Sequence, residues 1–199
     1  MIMPGNNAKL VLRWLKLAGF GATVSLLTFM IPVRAEAQSG DFVASVGLGL
    51  HIDDYDVTEF APRFWEEDSD TSAGVGGKLA LGIMLSDSLE LGISLLESYT
   101  SDEDLFQFSP VVYLTHQIPL EGDVQLYVGP QIGGTYYDFG DHHFDDFGFS
   151  AGALIGVTWS GIFIEYNFLW TDIDTEKSWR DVEGDLYSHR ILAGLRFEF

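Results

Sequence analysis

The feature that most constrains this chain is a period-two alternation, repeated in eight segments, that gathers the large apolar side chains on one face. From Phe42 to Ile52, residues Phe42, Ala44, Val46, Leu48, Leu50 and Ile52 alternate with Val43, Ser45, Gly47, Gly49 and His51. The pattern returns over 77–85, 89–96, 106–115, 124–136, 147–159, 162–171 and 187–199. Alternation of this kind marks strands, and no window after residue 37 holds helical spacing instead. The second face mixes Gly, Ser, Thr and Gln with Lys78, Glu90, Glu165, Arg190, Arg196 and Glu198. A soluble barrel would bury the apolar face, but eight strands enclose too little room for so many Phe, Leu, Ile and Trp side chains. The glycine-rich face fits a narrow interior. The apolar face therefore points outward, and lipid is the solvent that favours it. The predicted fold is all-β: an eight-stranded antiparallel up-and-down transmembrane β-barrel.

The connections agree. Long stretches at 53–72, 97–104, 138–146 and 172–185 alternate with short turns at Ser86-Asp87-Ser88, Pro119 to Asp123 and Ser160-Gly161. Long loops outside the cell and short turns in the periplasm are the order of an outer-membrane barrel. Phe42, Tyr136, Trp159, Trp170 and Tyr187 stand near segment ends on the apolar face, as aromatic girdles do at membrane interfaces.

Residues 1–37 read as a cleavable signal peptide, followed by a barrel domain over 38–199. Lys9, Arg13 and Lys16 precede an uncharged run from Leu17 to Val33, and Ala35-Glu36-Ala37 forms an A-x-A site before Gln38. Of the 30 Asp+Glu, only Glu36 lies in that segment, and six of the ten basic residues remain after it: Arg63, Lys78, Lys177, Arg180, Arg190 and Arg196. Such acidity speaks against nucleic acid as a partner, because a polyanion would be repelled. The lack of cysteine excludes thiolate metal sites, thiol nucleophiles and a lipoprotein anchor.

The C-terminal stretch Ile191-Leu192-Ala193-Gly194-Leu195-Arg196-Phe197-Glu198-Phe199, with eight strands and the long/short loop order, resembles the small outer-membrane barrels of Gram-negative bacteria: the OmpA-type transmembrane domain, OmpX and OmpW. The resemblance spans essentially the whole mature chain. It implies residence in the outer membrane as a monomer, contact with outer-membrane lipid and lipopolysaccharide, and recognition by the barrel assembly machinery through Leu195, Phe197 and Phe199. No peptidoglycan-binding domain follows, so a cell-wall tether is not implied.

Three kinds of chemistry remain to be weighed. The histidines His51, His116, His142, His143 and His189 could serve a lipid-modifying enzyme, but adjacent Ser188 and His189 point to opposite faces of a strand and cannot pair. The interior charges are expected to form a sealed, salt-bridged core, with Glu165 near Arg196; the alternative is a narrow OmpW-like channel for small or hydrophobic solutes. The long stretches hold 22 acidic residues. Asp172, Asp174, Glu176 and Glu183 match the acidic positions of an EF-hand loop, although Lys177 stands where that loop needs glycine. Weak, delocalised association of divalent cations fits them better. No catalytic residue and no cofactor is expected, and the role anticipated is a non-enzymatic one in envelope integrity or surface interaction.

Overall fold

In a computed structural model, residues 39–61, 64–100, 105–139, 144–177 and 180–199 are described, all within the unit Val33–Phe199; the expected signal peptide lies outside the described residues. Eight strands follow in chain order: β1 (Phe42–Ala61), β2 (Phe64–Ser86), β3 (Leu89–Thr100), β4 (Leu105–Pro119), β5 (Val124–Phe139), β6 (Phe144–Trp159), β7 (Ile162–Lys177) and β8 (Arg180–Glu198). Each pairs antiparallel with the next, and β8 returns to β1 to close the barrel. Closure removes the edges of the spanning wall, so its backbone groups are satisfied without water. Beyond the last strand residue, Phe199 completes the seam: its carbonyl accepts from the Phe42 amide at 2.8 Å, its amide donates to Phe42 at 3.0 Å, and the two rings stack.

The short turns lie at one end. Ser160 and Gly161 both take positive φ (48° and 81°), the geometry of a two-residue hairpin turn whose twist matches its strands. A bulge shifts the β2–β3 register between Met84 and Ser86 beside another turn. Leu48, Leu81, Ile93, Ile132 and Ile191 are each more than half exposed on the outer wall, whereas Lys78, Glu90, Glu165, Arg190, Arg196 and Glu198 are buried inside. Gly49 and Gly129 sit where an added Cβ would strike the carbonyls of Ile191 and Leu114 on the adjacent strand, so glycine permits the close wrap of a narrow barrel.

The other end corrects the sequence reading. Where they are described, the stretches 53–72, 97–104, 138–146 and 172–185 are strand, not loop: β1 and β2 pair from Asp53↔Ser72 to Ala61↔Phe64, and β7 and β8 from Asp172↔Asp185 to Lys177↔Arg180. The alternation continues there with its polarity reversed. Tyr55, Val57, Leu105, Tyr137, Ile173, Val182 and Leu186 turn inward to form a buried cluster, while Asp56, Asp172, Asp174 and Glu183 face out. Once the wall leaves lipid its solvent is water, and the apolar face has to go inside. The wall beyond the lipid band, with its outward carboxylates, forms a collar; Phe42 and Trp159 lie at the turn end of the band, and Tyr136, Trp170 and Tyr187 lie at the collar end, next to the first acidic row.

Candidate functional site

The interior is layered. Along β8 the inward side chains read Glu198, Arg196, then Leu192, then Arg190 and Ser188, then Leu186; along β4 they read Gln117, Thr115 and Tyr113, then Val111, then Ser109 and Gln107, then Leu105. Two polar layers thus alternate with two apolar ones. Period-two alternation selects the inward residues, and glycines at 47, 82, 92, 156 and 194 leave room for the long ones.

In the layer at the turn end, Lys78 Nζ lies 2.6 Å from Glu165 Oε2, which also accepts from the Tyr127 hydroxyl at 3.0 Å. Arg196 donates through Nη2 to Glu90 (2.8 Å) and through Nε to Glu198 (3.1 Å). Glu90 further accepts from Tyr113 (2.6 Å) and Gln117 (2.8 Å). Lys78 sits 5.6 Å from the Tyr113 ring centre and 5.7 Å from that of Phe163, within cation–π range. Glu165 and Arg196 line one small cavity but do not pair: Lys78 takes Glu165, leaving Arg196 to two other carboxylates. The cavity has room for about one water molecule. Leu96, Val111, Phe163, Leu169 and Leu192 close over this layer.

The second polar layer centres on Asp53. Its Oδ1 accepts from Ser188 at 2.6 Å, and its Oδ2 accepts from Gln107 at 2.6 Å and lies 2.8 Å from His51 Nε2. Arg190, fully buried, donates to Gln107 (2.9 Å) and Ser98 (3.3 Å). A ring of hydroxyls from Ser109, Thr135, Ser150 and Thr171 lies alongside. Asp53 falls at the start of the stretch 53–72 that the sequence marks as loop, and the structure makes it the centre of a buried cluster instead. The signal was its parity, which places it on the same face as Gly49 and His51.

Serine, histidine and aspartate meet here in the wrong order for catalysis. One carboxylate holds both Ser188 and His51, so the imidazole does not face the hydroxyl it would have to deprotonate, and all three side chains are buried. His189 lies on the outer wall, its ring stacked on Tyr166 and tilted against Phe168, with the Tyr166 hydroxyl 2.7 Å from Nδ1. His116 is also outward, and His142 and His143 lie outside the described residues.

Outside, the collar carries rows of carboxylates. Asp56, Asp185 and Asp172 stand directly opposite one another across β1, β8 and β7, and Glu183 and Asp174 form the next row. Trp170 donates its indole N–H to Asp185 at 2.6 Å, fixing the boundary between the aromatic belt and the acid. The expected EF-hand match becomes a hairpin: Asp172 and Asp174 follow one another along a strand and Glu183 faces Asp174, which is a ladder and not a cage. The side chains of Glu176 and Lys177 lie outside the described residues. Leu195 and Phe199 are open on the outer wall, and Phe197 in the same row is buried.

The closed eight-strand wall with its apolar exterior invites comparison with solved barrels. It is similar to Neisserial surface protein A (16% identity over 82% of this chain and 100% of that one, TM-score 0.52) and to the outer membrane protein OprG of Pseudomonas aeruginosa (14% identity over 83% and 99%, TM-score 0.51). The chain has the fold of the small outer-membrane barrels. No family model and no curated protein matches its sequence. A barrel with this exterior resides in the outer membrane of a Gram-negative cell, where the apolar band meets lipid and the acidic collar meets water.

Proposed function

We propose that this is a non-enzymatic, monomeric outer-membrane barrel whose body is sealed and whose working surface is the acidic collar, serving envelope integrity or surface interaction. The observation that carries the reading is the row Asp56–Asp185–Asp172. Like charges directly opposite in a sheet are destabilising, and three in line across neighbouring strands call for a counter-ion. Among residues whose side chains are described, the basic ones, Lys78, Arg190 and Arg196, all lie in the lumen, so none of these three neutralises the acidic rows. Lipopolysaccharide phosphates therefore meet carboxylates, and divalent cations supply the bridge. The layered interior speaks against a channel, and the geometry of Ser188, Asp53 and His51 against an enzyme.

If cations act collectively, Ca2+ and Mg2+ should stabilise the detergent-folded barrel alike at millimolar concentration, and monovalent salt should weaken the effect, since the Debye length is ~8 Å at physiological ionic strength. Thermal unfolding with each metal, repeated on an Asp174→Asn/Glu183→Gln variant, reads this directly. Micromolar, Ca2+-selective binding lost in the variant would replace the delocalised reading with a specific site, and no response to either metal would remove both.

The assembly machinery is the second proposed partner, through Leu195, Phe197 and Phe199. Deleting Phe199 removes two backbone hydrogen bonds and one ring stack, each worth about 1 kcal/mol. The truncated chain should refold in detergent yet assemble poorly in cells. Normal levels of folded, heat-modifiable protein in cells would contradict this.

A further inference from the structure

The lipid-facing wall carries a hydrogen-bonded polar pair. Tyr166 on β7 and His189 on β8 both point outward, and the Tyr166 hydroxyl lies 2.7 Å from His189 Nδ1. The imidazole is half-buried, facing Phe168 across the β7–β8 ladder and Ile52 across the β1–β8 ladder. Ile191, the next outward residue below it on β8, is among the most open side chains of the wall, with Tyr166 opposite on one side and Leu50 on the other. A polar pair among such neighbours is costly unless its hydrogen bonds are completed.

Its depth follows from the strands. Tyr187 is the next outward residue above His189, and Trp170, opposite Tyr187, is fixed to Asp185 by its indole N–H. These rings mark the level at which hydrocarbon gives way to headgroups. Two residues of a strand tilted by about 45° rise roughly 5 Å along the membrane normal, so His189 sits that far inside the belt.

The pair has one donor to spare. If the Tyr166 hydroxyl donates to Nδ1, the proton of the neutral ring is on Nε2; if Nδ1 donates to the hydroxyl oxygen, the phenolic proton is unused. Among the described residues no other side chain bonds either group. The site therefore calls for an acceptor just below the headgroups. Hydrocarbon tails offer none. The linkages that join acyl chains to a lipid headgroup do, and those of lipopolysaccharide are amides and esters of chains often hydroxylated close to the linkage. We propose that Tyr166 and His189 form a seat for lipopolysaccharide on the outer wall: the spare donor binds a carbonyl or hydroxyl oxygen at the head of an acyl chain, and the chain runs down over Ile191 and Leu50. The inference deepens the proposed surface role and rests on the collar facing away from the cell. It does not use the cation bridge, which is read by unfolding with each metal.

The test uses the full mature chain folded in alkyl maltoside micelles, a detergent without acyl carbonyls, and lipid A, the lipid portion of lipopolysaccharide. Mg2+ is held at one concentration, so that any cation bridge at the collar is common to both proteins, and native mass spectrometry counts the lipid A retained. His189→Leu is expected to lower retention about fivefold, the weight of one hydrogen bond, while leaving thermal unfolding unchanged or raised, because leucine suits a wall that faces lipid. Equal retention by the two proteins would overturn the seat and leave the metal titration of the collar as it stands. A diester phospholipid retained as well as lipid A, and lost equally in His189→Leu, would make the pair a reader of any acyl carbonyl and overturn the assignment to lipopolysaccharide. If His189→Leu does not fold, nitrogen NMR of the imidazole in the unaltered protein decides: lipid A should shift the His189 ring signals, and signals that stay put would overturn the proposal.

Discussion

Lys78→Met should destabilise the barrel by about 3–5 kcal/mol, because it leaves the Glu165 carboxylate buried without its cation. Glu165 is fully buried, its other partners are the neutral Tyr127 hydroxyl and the Asn167 amide, and the cavity beside it holds about one water. The double variant Lys78→Met/Glu165→Met should recover most of the loss, since a buried pair replaced by apolar groups of similar volume is often neutral. Urea unfolding of the three proteins in lipid vesicles measures both effects. Equal loss in the single and double variants would mean that the pair is not a unit and that packing, not charge, governs this layer.

The second large effect is on the outer wall. Leu48 is 54% exposed, midway between the turn-end ring Phe42 and the acidic row at Asp54 and Asp56. Leu48→Arg should cost about 2–4 kcal/mol, the penalty for a guanidinium facing hydrocarbon near the midplane. Asp56→Arg lies on the same face of the same strand, but it lies above the lipid and beside Asp185, so relief of repulsion should leave stability unchanged or raise it. The same unfolding assay compares the two. A similar cost at both positions would place the lipid boundary wrongly, and a harmless arginine at residue 48 would contradict the outward apolar face.

How far the sequence can be read depends on which solvent a residue meets. Within the lipid band one rule holds throughout, large apolar side chains out and small or polar ones in, so eight strands could be read from alternation alone. Beyond Ile52 the rule inverts. Asp54, Tyr55, Asp56 and Val57 still alternate, but with the acid outside and the apolar residue inside, and a search for an apolar outer face reads this as loop. The charged lumen residues were legible from parity. Which cation met which carboxylate was not, because pairing in a barrel depends on how the strands are staggered across the interior: Lys78 reaches Glu165 on β7, while Arg196 reaches Glu90 on β3. Asp53 was hidden by the same misplaced boundary.

The proposal that this protein works at its collar, with a sealed lumen, stands on how the interior is closed. Two apolar layers, Leu96 with Val111, Phe163, Leu169 and Leu192, and Tyr55 with Val57, Leu105, Tyr137, Ile173, Val182 and Leu186, cross the interior on either side of the Asp53 cluster. Single-channel recording of the purified mature chain in planar bilayers, with insertion verified by protease protection of the barrel, tests this most directly. The account predicts a silent membrane, without unitary current steps in concentrated KCl. Stable, reproducible steps would contradict it and return the lumen to the centre of the protein's function.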